Sequence, residues 1–389
     1  MTQTSPLAAL SARARSLEAS KIREVAELGM TERDVIPLWF GEGAWPTSDF
    51  IVEAAVEALR AGEHMYNPNN GTPALRQQIC EYSNGIFGTA LTADRITVTP
   101  SGMQGLILAA EMLVTPGDRV VVVDPCWPNI TGAFRAQGGD IASVALEERE
   151  GRWALDLEKL LSALTPETKA VVLNSPHNPT GWTMPAEDQK AVLDHCRRHG
   201  IWIVADDVYT RLYRHGRAAP SFVSLVEPDD LVISVNSFSK CWSMTGWRLG
   251  WLVAPPQIET RLGQLTEFNT SCTAPFIQSA GVAALREGEP EIDLLHERIT
   301  TGYAITARNL KGFDKVTFVE PDGAFYAFFQ VAGMGDSFDA AKRILRETKV
   351  GLAPGVAFGE AGEGYLRLCY AQSEPVLEQA FERLAPFLS

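Results

Sequence analysis

One lysine, Lys240, stands in the run N-S-F-S-K-C-W-S-M-T-G-W-R-L-G-W, Asn236 to Trp251, among hydroxyls, glycines and aromatics, with Arg248 eight residues on. Other groups able to do chemistry collect in short turns. Pro100–Gly105 reads P-S-G-M-Q-G ahead of an almost wholly apolar helical stretch, so its backbone N–H groups could hold an anion. Gly102 in that turn lets a ligand approach the backbone. D-P-C-W-P-N sets Trp127 between two prolines, N-S-P-H-N-P-T-G offers Asn174 and Asn178, and D-D-V-Y offers Asp206. Singly, each has an ordinary explanation: a solvated lysine, a core tryptophan, a polar turn, a helix-capping carboxylate. Jointly, an amine, a carboxylate, an anion-holding turn, an aromatic plate and an amide suit a planar, phosphorylated, heteroaromatic ligand held covalently by the amine.

What must position these groups is a set of short apolar, β-branched runs, each ending where one of the turns begins. Arg95–Thr99, Arg119–Val123, Lys169–Leu173, Ile201–Ala205, Leu231–Val235 and Trp247–Val253 read as strands, most of them uninterrupted, as expected where both faces are covered. Helical stretches alternate with them at Gly105–Val114, Leu157–Leu164 and Ala186–Arg198. That alternation predicts an α/β fold with a largely parallel sheet, whose ligands bind beyond the carboxyl ends of the strands. Ile51–Ala61 has helical periodicity and a stop at Gly62, and residues 8–29 read as a surface helix. After about residue 290 the pattern changes to a long helix (Ile292–Leu310), strands near Val316–Val319, Ala324–Gln330 and Tyr365–Cys369, and helices at Phe338–Thr348 and Pro375–Leu384. A smaller α+β domain is expected there, completed by the N-terminal segment. The domains are then 47–290, and 1–46 with 291–389.

Bulk properties narrow the class of function. A chain of 389 residues with 46% apolar content can build a large core. A net charge of −14 argues against nucleic-acid binding, which needs a basic face. The six cysteines follow no zinc or disulfide spacing and suit a reducing compartment. With neither a signal-peptide core nor an apolar run of membrane-spanning length, a cytoplasmic protein is expected. His195 and His199, four apart on a predicted helix, have a spacing that can bind metal, but helix-end cations beside Gly200 are the simpler reading, and no metal is expected.

The chain resembles the class I/II aminotransferases, pyridoxal-phosphate enzymes of fold type I that include aspartate aminotransferase. The likeness rests on S-F-S-K-C-W-S-M-T-G-W-R-L-G-W, with N-P-T-G, D-x-x-Y, Y-N-P-N-N-G and Y-L-R-L-C-Y-A in the family's order, and runs from about Leu38 to Tyr370. It implies a mostly parallel seven-stranded sheet in the large domain, and a homodimer with shared active sites. It makes Lys240 the lysine that condenses with the aldehyde of pyridoxal 5'-phosphate and moves the α-proton, an amine whose pKa burial and nearby cations must lower. Ser237, Arg248 and the Ser101–Gly102–Met103 turn become phosphate ligands, and Tyr66 reaches the neighbouring subunit's phosphate. Asp206 pairs with the pyridine nitrogen, Asn178 and Tyr209 bond the ring's phenolic oxygen, and Trp127 stacks on the ring. Arg367 clamps the substrate's α-carboxylate, with Gly41 and Asn178 on the substrate side. Many relatives read G-E-P-D-F where this chain has G-E-G-A-W, so Trp45 is expected to narrow or reshape the pocket; A-F-Y-A-F-F reads most simply as core strand, with Phe325 or Tyr326 the alternative candidates to edge the pocket. The expected activity is amino transfer from an L-amino acid to a 2-oxo acid, with aspartate and 2-oxoglutarate as first candidates and aromatic or other neutral amino acids after them. The alternative is a pyridoxal-phosphate C–S β-lyase on the same scaffold. A regulator that keeps the fold without turnover is disfavoured by the missing helix-turn-helix pattern.

Overall fold

A computed structural model describes residues 5–15 and 17–389. Residues 1–4 and Ser16, part of the expected 1–46 segment, lie outside the described residues. The central sheet has seven strands, β1 (Ile96–Thr99), β2 (Arg119–Asp124), β3 (Asp140–Ala145), β4 (Thr168–Asn174), β5 (Trp202–Asp206), β6 (Val232–Ser237) and β7 (Gly250–Val253), in the order β1-β7-β6-β5-β4-β2-β3. Only β7 runs antiparallel to its neighbours.

The continuous apolar runs follow from burial on both faces. In β2, Val121 and Val123 belong to one apolar layer, while Val120 and Val122 belong to the other. The same alternation splits Val171 and Leu173 from Val172, and Ile203 and Ala205 from Val204. Successive side chains of a strand point to opposite faces, so helices on both sides require apolar residues throughout. Each valine so buried contributes roughly 1.5–3 kcal/mol.

The sequence reading showed only six of these strands. The seventh, β3, reads D-I-A-S-V-A and lies at the sheet edge, where five of its six residues are partly buried or exposed and only Val144 is buried. An edge strand with a wet face needs no apolar run, and so carries none. Two further expectations change. Residues 8–29 are not one surface helix: a short helix, Ala12–Arg15, is separate from Lys21–Met30, whose Ile22, Val25, Ala26 and Gly29 are buried. And β7 begins only at Gly250, because Thr245–Trp247 forms a 3-10 turn and Arg248 adopts φ 55°, the left-handed region no strand uses.

The second sheet contains β8 (Val316–Phe318), β9 (Tyr326–Val331), β10 (Ala353–Pro354) and β11 (Tyr365–Cys369), antiparallel in the order β8-β9-β11-β10. Ile36–Pro37 pairs with Val350–Gly351, which ties the N-terminal segment to this C-terminal region. The fold is the expected α/β architecture, a seven-stranded, mostly parallel sheet with a smaller antiparallel sheet besides. Among the described residues no helix is long and apolar enough to cross a membrane.

Candidate active site

The register of the parallel strands brings their last residues to one edge. Asn174 at the end of β4 pairs with Asp206 at the end of β5, and Asp206 pairs with Val235, two residues before Ser237 ends β6. Asn174 secures this edge with both ends of its amide. Its Nδ2 donates to the Asp206 carbonyl at 3.0 Å, and its Oδ1 accepts the Asn178 N–H at 2.8 Å, fixing the N-P-T-G turn to the sheet. Asp206 is 2% exposed, and among the described residues its carboxylate accepts one hydrogen bond, a long contact of 3.4 Å from the Val208 N–H. Burial pushes its pKa up to about 7, against the opposing pull of Val208, with Asp207 adding to the rise and Lys240 lowering it. A buried carboxylate so poorly supplied with donors gains most from a cation placed beside it.

Lys240 sits on the short helix Phe238–Cys241 that follows β6. Its Nζ donates to the Gly41 carbonyl at 2.5 Å and lies 5.6 Å from the centre of the Tyr209 ring. Burial lowers the amine's pKa to about 8, and the Arg367 guanidinium acts in the same direction against Cys369, Glu42 and Asp206. Position 41 admits only glycine, since a Cβ there would stand 1.8 Å from the Tyr326 hydroxyl.

Arg367, on β11, is 2% exposed. Its Nη1 donates to Asn178 Oδ1 at 2.8 Å and its Nη2 to the Trp39 carbonyl, while the guanidinium lies between the Tyr326 and Phe358 rings, 4.4 and 4.8 Å from their centres. Its buried Nε has no partner among the described residues. An unpaired charged N–H is costly to bury, so this atom marks where a further acceptor belongs.

Three turns converge beside Lys240. Ser101, held at φ 93°, caps the helix Gly102–Leu113 by accepting the Gln104 N–H at 3.2 Å. A Cβ on Gly102 would lie 3.2 Å from the Ser237 Cβ, and one on Gly250 would lie 2.6 Å from the Asn236 carbonyl and 2.7 Å from the Gly102 nitrogen. Glycines at both places let the helix N-terminus, the end of β6 and the start of β7 close up around one small space. The Ser237 hydroxyl meets Ser239 Oγ at 2.9 Å, and Arg248 is exposed and donates to the Thr245 carbonyl.

A cavity of about 310 Å³ joins these parts. Of the residues singled out in the sequence, Gly41, Gly102, Met103, Trp127, Asn178, Asp206, Tyr209, Ser237, Lys240, Arg248 and Arg367 all line it. Ser101 does not reach the wall and acts as the helix cap behind it. Tyr66 lies away from the cavity and is 89% exposed, as are its neighbour Met65 (71%) and Phe268 (84%). Trp45 lines a separate chamber of about 510 Å³ on another side of Lys240, with the Arg298 guanidinium 5.1 Å over its ring, so it does not narrow the cavity over Asp206. His195 Nε2 lies 2.8 Å from the Leu164 carbonyl, a packing role at the helix end.

Sequence reasoning missed the walls contributed by Ser20, Ile22, Arg23 and Phe40. Ser20 caps the helix Lys21–Met30 by accepting the Arg23 N–H, and that cap was the available signal for a helix starting there. Nothing local marks Arg23 as a cavity residue. Tyr326, read first as core strand and second as a pocket edge, is a fully buried wall.

The donor set fits pyridoxal phosphate. Among the described residues Asp206 is ion-paired with no cation and Arg367 Nε has no acceptor, a glycine-lined helix N-terminus faces the cavity, and the amine is already shifted towards neutrality.

Comparison with known proteins agrees with this geometry. Residues 33–384 match the family model for aminotransferase class I and II. An aspartate aminotransferase of Pyrococcus horikoshii is 33% identical over 372 residues, covering 95% of this chain and 94% of that protein. The aromatic-amino-acid aminotransferase 2 of Thermococcus litoralis is 32% identical, with 98% of each chain covered. The solved Thermus thermophilus aspartate aminotransferase with maleate superposes with a TM-score of 0.91 at 30% identity, covering 97% of this chain and 99% of that one.

Proposed function

We propose, from the premise that this chain belongs to the class I and II aminotransferases, that Lys240 is its catalytic amine and that Arg367 holds the substrate's α-carboxylate. The enzyme is a pyridoxal-phosphate-dependent aminotransferase, moving an amino group between amino and 2-oxo acids. The observation that carries the residue assignment is the meeting, in one cavity, of a buried amine near pKa 8, a buried carboxylate and an arginine with an unpartnered N–H.

Bound there, pyridoxal phosphate supplies an aldehyde carbon and an electron-accepting ring. Asp206 would face the ring nitrogen, Asn178 and Tyr209 the phenolic oxygen, and Trp127 the ring plane. Ser237, Arg248 and the N–H groups of Gly102 and Met103 would hold the phosphate, with Ser101 shaping their turn. The Gly41 carbonyl orients the Lys240 amine. Burial keeps part of that amine neutral near neutral pH, so Nζ can take the proton from the substrate Cα and give it back. Arg367, fixed by Asn178, Trp39 and two aromatic rings, would orient that Cα–H towards Nζ.

The substrate pair we propose is aspartate with 2-oxoglutarate. Several relatives are named aspartate aminotransferases, and Arg23 gives the cavity wall a cation beyond Arg248 and Arg367. Its guanidinium lies 5.6 Å over the Phe40 ring, and no carboxylate among the described residues pairs with it, which leaves it able to meet a second carboxylate. The exposed Met65, Tyr66 and Phe268 support a homodimer that covers them and brings Tyr66 to the other subunit's phosphate. The free cysteines support a cytoplasmic location, and the pairing of Ile36–Pro37 with Val350–Gly351 supports a division into 47–290 and 1–46 with 291–389.

Borohydride reduction of the holoenzyme followed by peptide mapping tests the central assignment. The reduced cofactor is expected on the peptide containing Lys240, and Lys240→Ala is expected to lose about 10⁴-fold or more in kcat. A reduced adduct on any other lysine would overturn it.

A further inference from the structure

We propose that Tyr326 is a positioning residue whose hydroxyl directs the Tyr209 hydroxyl at the cofactor's ring oxygen. This rests on the reading of Lys240 and Tyr209 given above. The two phenol oxygens are 2.5 Å apart and both residues are buried. Tyr326 comes from β9 of the second sheet and Tyr209 from the turn after β5, so the contact joins the two parts of the molecule directly beneath the cavity both of them line.

Hydrogen counting gives the contact its direction. Each phenol carries one hydrogen. When the Tyr209 hydrogen is given to a ring oxygen in the cavity, the 2.5 Å contact must be filled by the hydrogen of Tyr326. Tyr326 has no other hydroxyl partner among the described residues, so it is available to donate. A hydroxyl that accepts such a bond becomes a better donor in turn, most of all in a dry interior. The Tyr326 ring is held for this task. The Arg367 guanidinium lies 4.4 Å from its centre, the Phe325 ring lies edge-on at 5.0 Å, and its hydroxyl occupies the space that the missing side chain of Gly41 leaves open. Gly41 in turn accepts from Lys240, so one hydroxyl touches the supports of both the amine and the phenol. Among the described residues the other charged or titratable groups facing the pair are Asp206, Cys369, Arg367 and Lys240, whose Nζ lies 5.6 Å from the Tyr209 ring centre, and Phe substitution leaves all of them in place.

The test is the pH titration of the holoenzyme's visible absorption band, which reports the proton shared between Lys240 and the cofactor. Tyr326→Phe keeps the ring and removes one oxygen. It is expected to raise the titration midpoint by more than about half a pH unit, because a weaker Tyr209 donor stabilises the ring oxygen's negative charge less. KM for the amino donor is expected to change less than twofold. Tyr209→Phe should raise the midpoint further, and adding Tyr326→Phe to it should then change nothing, since the effect passes through Tyr209. An unchanged midpoint in Tyr326→Phe, or the same shift with and without Tyr209, overturns the proposal. Borohydride labelling of Lys240 in every variant separates the two failures: labelled protein without a shift sinks only the role of Tyr326, whereas unlabelled wild-type protein sinks the assignment beneath it.

Discussion

The floor of the cavity and its wall are built on different principles. The floor is the carboxyl edge of the central sheet, where Asn174, Asp206 and Ser237 are the last residues of β4, β5 and β6. Their positions follow from ladder register, which backbone hydrogen bonds and two apolar layers enforce together. The wall is made of side chains reaching across the chain. Lys240 meets Gly41 over 199 positions, Arg367 meets Asn178 over 189, and Tyr209 meets Tyr326 over 117. The floor's positions therefore hold as long as the strands stay in register, with the Asn174 amide securing their ends, while the wall depends on single contacts, each of which one substitution can remove. Chemistry at the floor is tuned by burial, and recognition at the wall by geometry.

The sharpest way to break this contrast is at the wall. Arg367→Ala removes a guanidinium with two donors already engaged and a third unpaired. A fall of about 10²- to 10³-fold in kcat/KM is expected, the scale of a buried charged contact, with the visible absorbance of bound cofactor retained. Steady-state kinetics beside an absorption spectrum reads both, and near-normal kcat/KM would remove Arg367 from substrate binding.

A smaller effect is expected from the floor, and it is a dependence on pH. The Asp206 carboxyl has a folded pKa of about 7 against roughly 3.9 in an unfolded chain. The folded cofactor-free protein therefore holds this proton after the unfolded chain has released it. Stability is highest below the unfolded value and falls as pH rises through the window from about 4 to about 7, levelling above it. Asp206→Asn removes that loss, so the variant should gain about 1–3 kcal/mol on wild-type cofactor-free protein at pH 8 and nothing at pH 4, as urea titrations at the two pH values would measure. A gain that does not change with pH would mean that burial of this carboxylate carries no penalty.

The smallest expected effect belongs to Arg23, at the exposed rim of the wall. Arg23→Gln is expected to reduce kcat/KM by about three- to tenfold for aspartate, the scale of a solvent-accessible ion pair, while leaving a neutral donor such as alanine unchanged. An equal loss with both donors would take Arg23 out of substrate selection.

These contrasts match how far each part could be read beforehand. Val120–Val123 announces a strand covered on both faces, and the turn after each such run announces a strand end, so the floor was legible almost residue by residue. Asp140–Ala145 was not, because an edge strand with one wet face has no apolar run to display. Arg248 was placed in a strand because it falls inside the apolar run Trp247–Val253, whereas its left-handed backbone puts it in the turn before β7. Arg367 and Lys240 were found through motif likeness rather than periodicity. Tyr326 was half-seen, since nothing near it in the chain shows that its hydroxyl meets Tyr209, and Arg23 was not seen.

Local order along the chain was enough to determine six of the seven central strands, the helices between them and the turns at which polar residues would gather, because side-chain period and backbone propensity act over a few residues at a time. Only the folded chain decided that Gly41 would accept from Lys240, that Tyr326 would fill the space above Gly41, and that Arg23 would stand at the rim. Those pairings are contacts between segments more than a hundred residues apart, and what selects them is the fit of whole layers against one another, a property no short stretch of residues possesses.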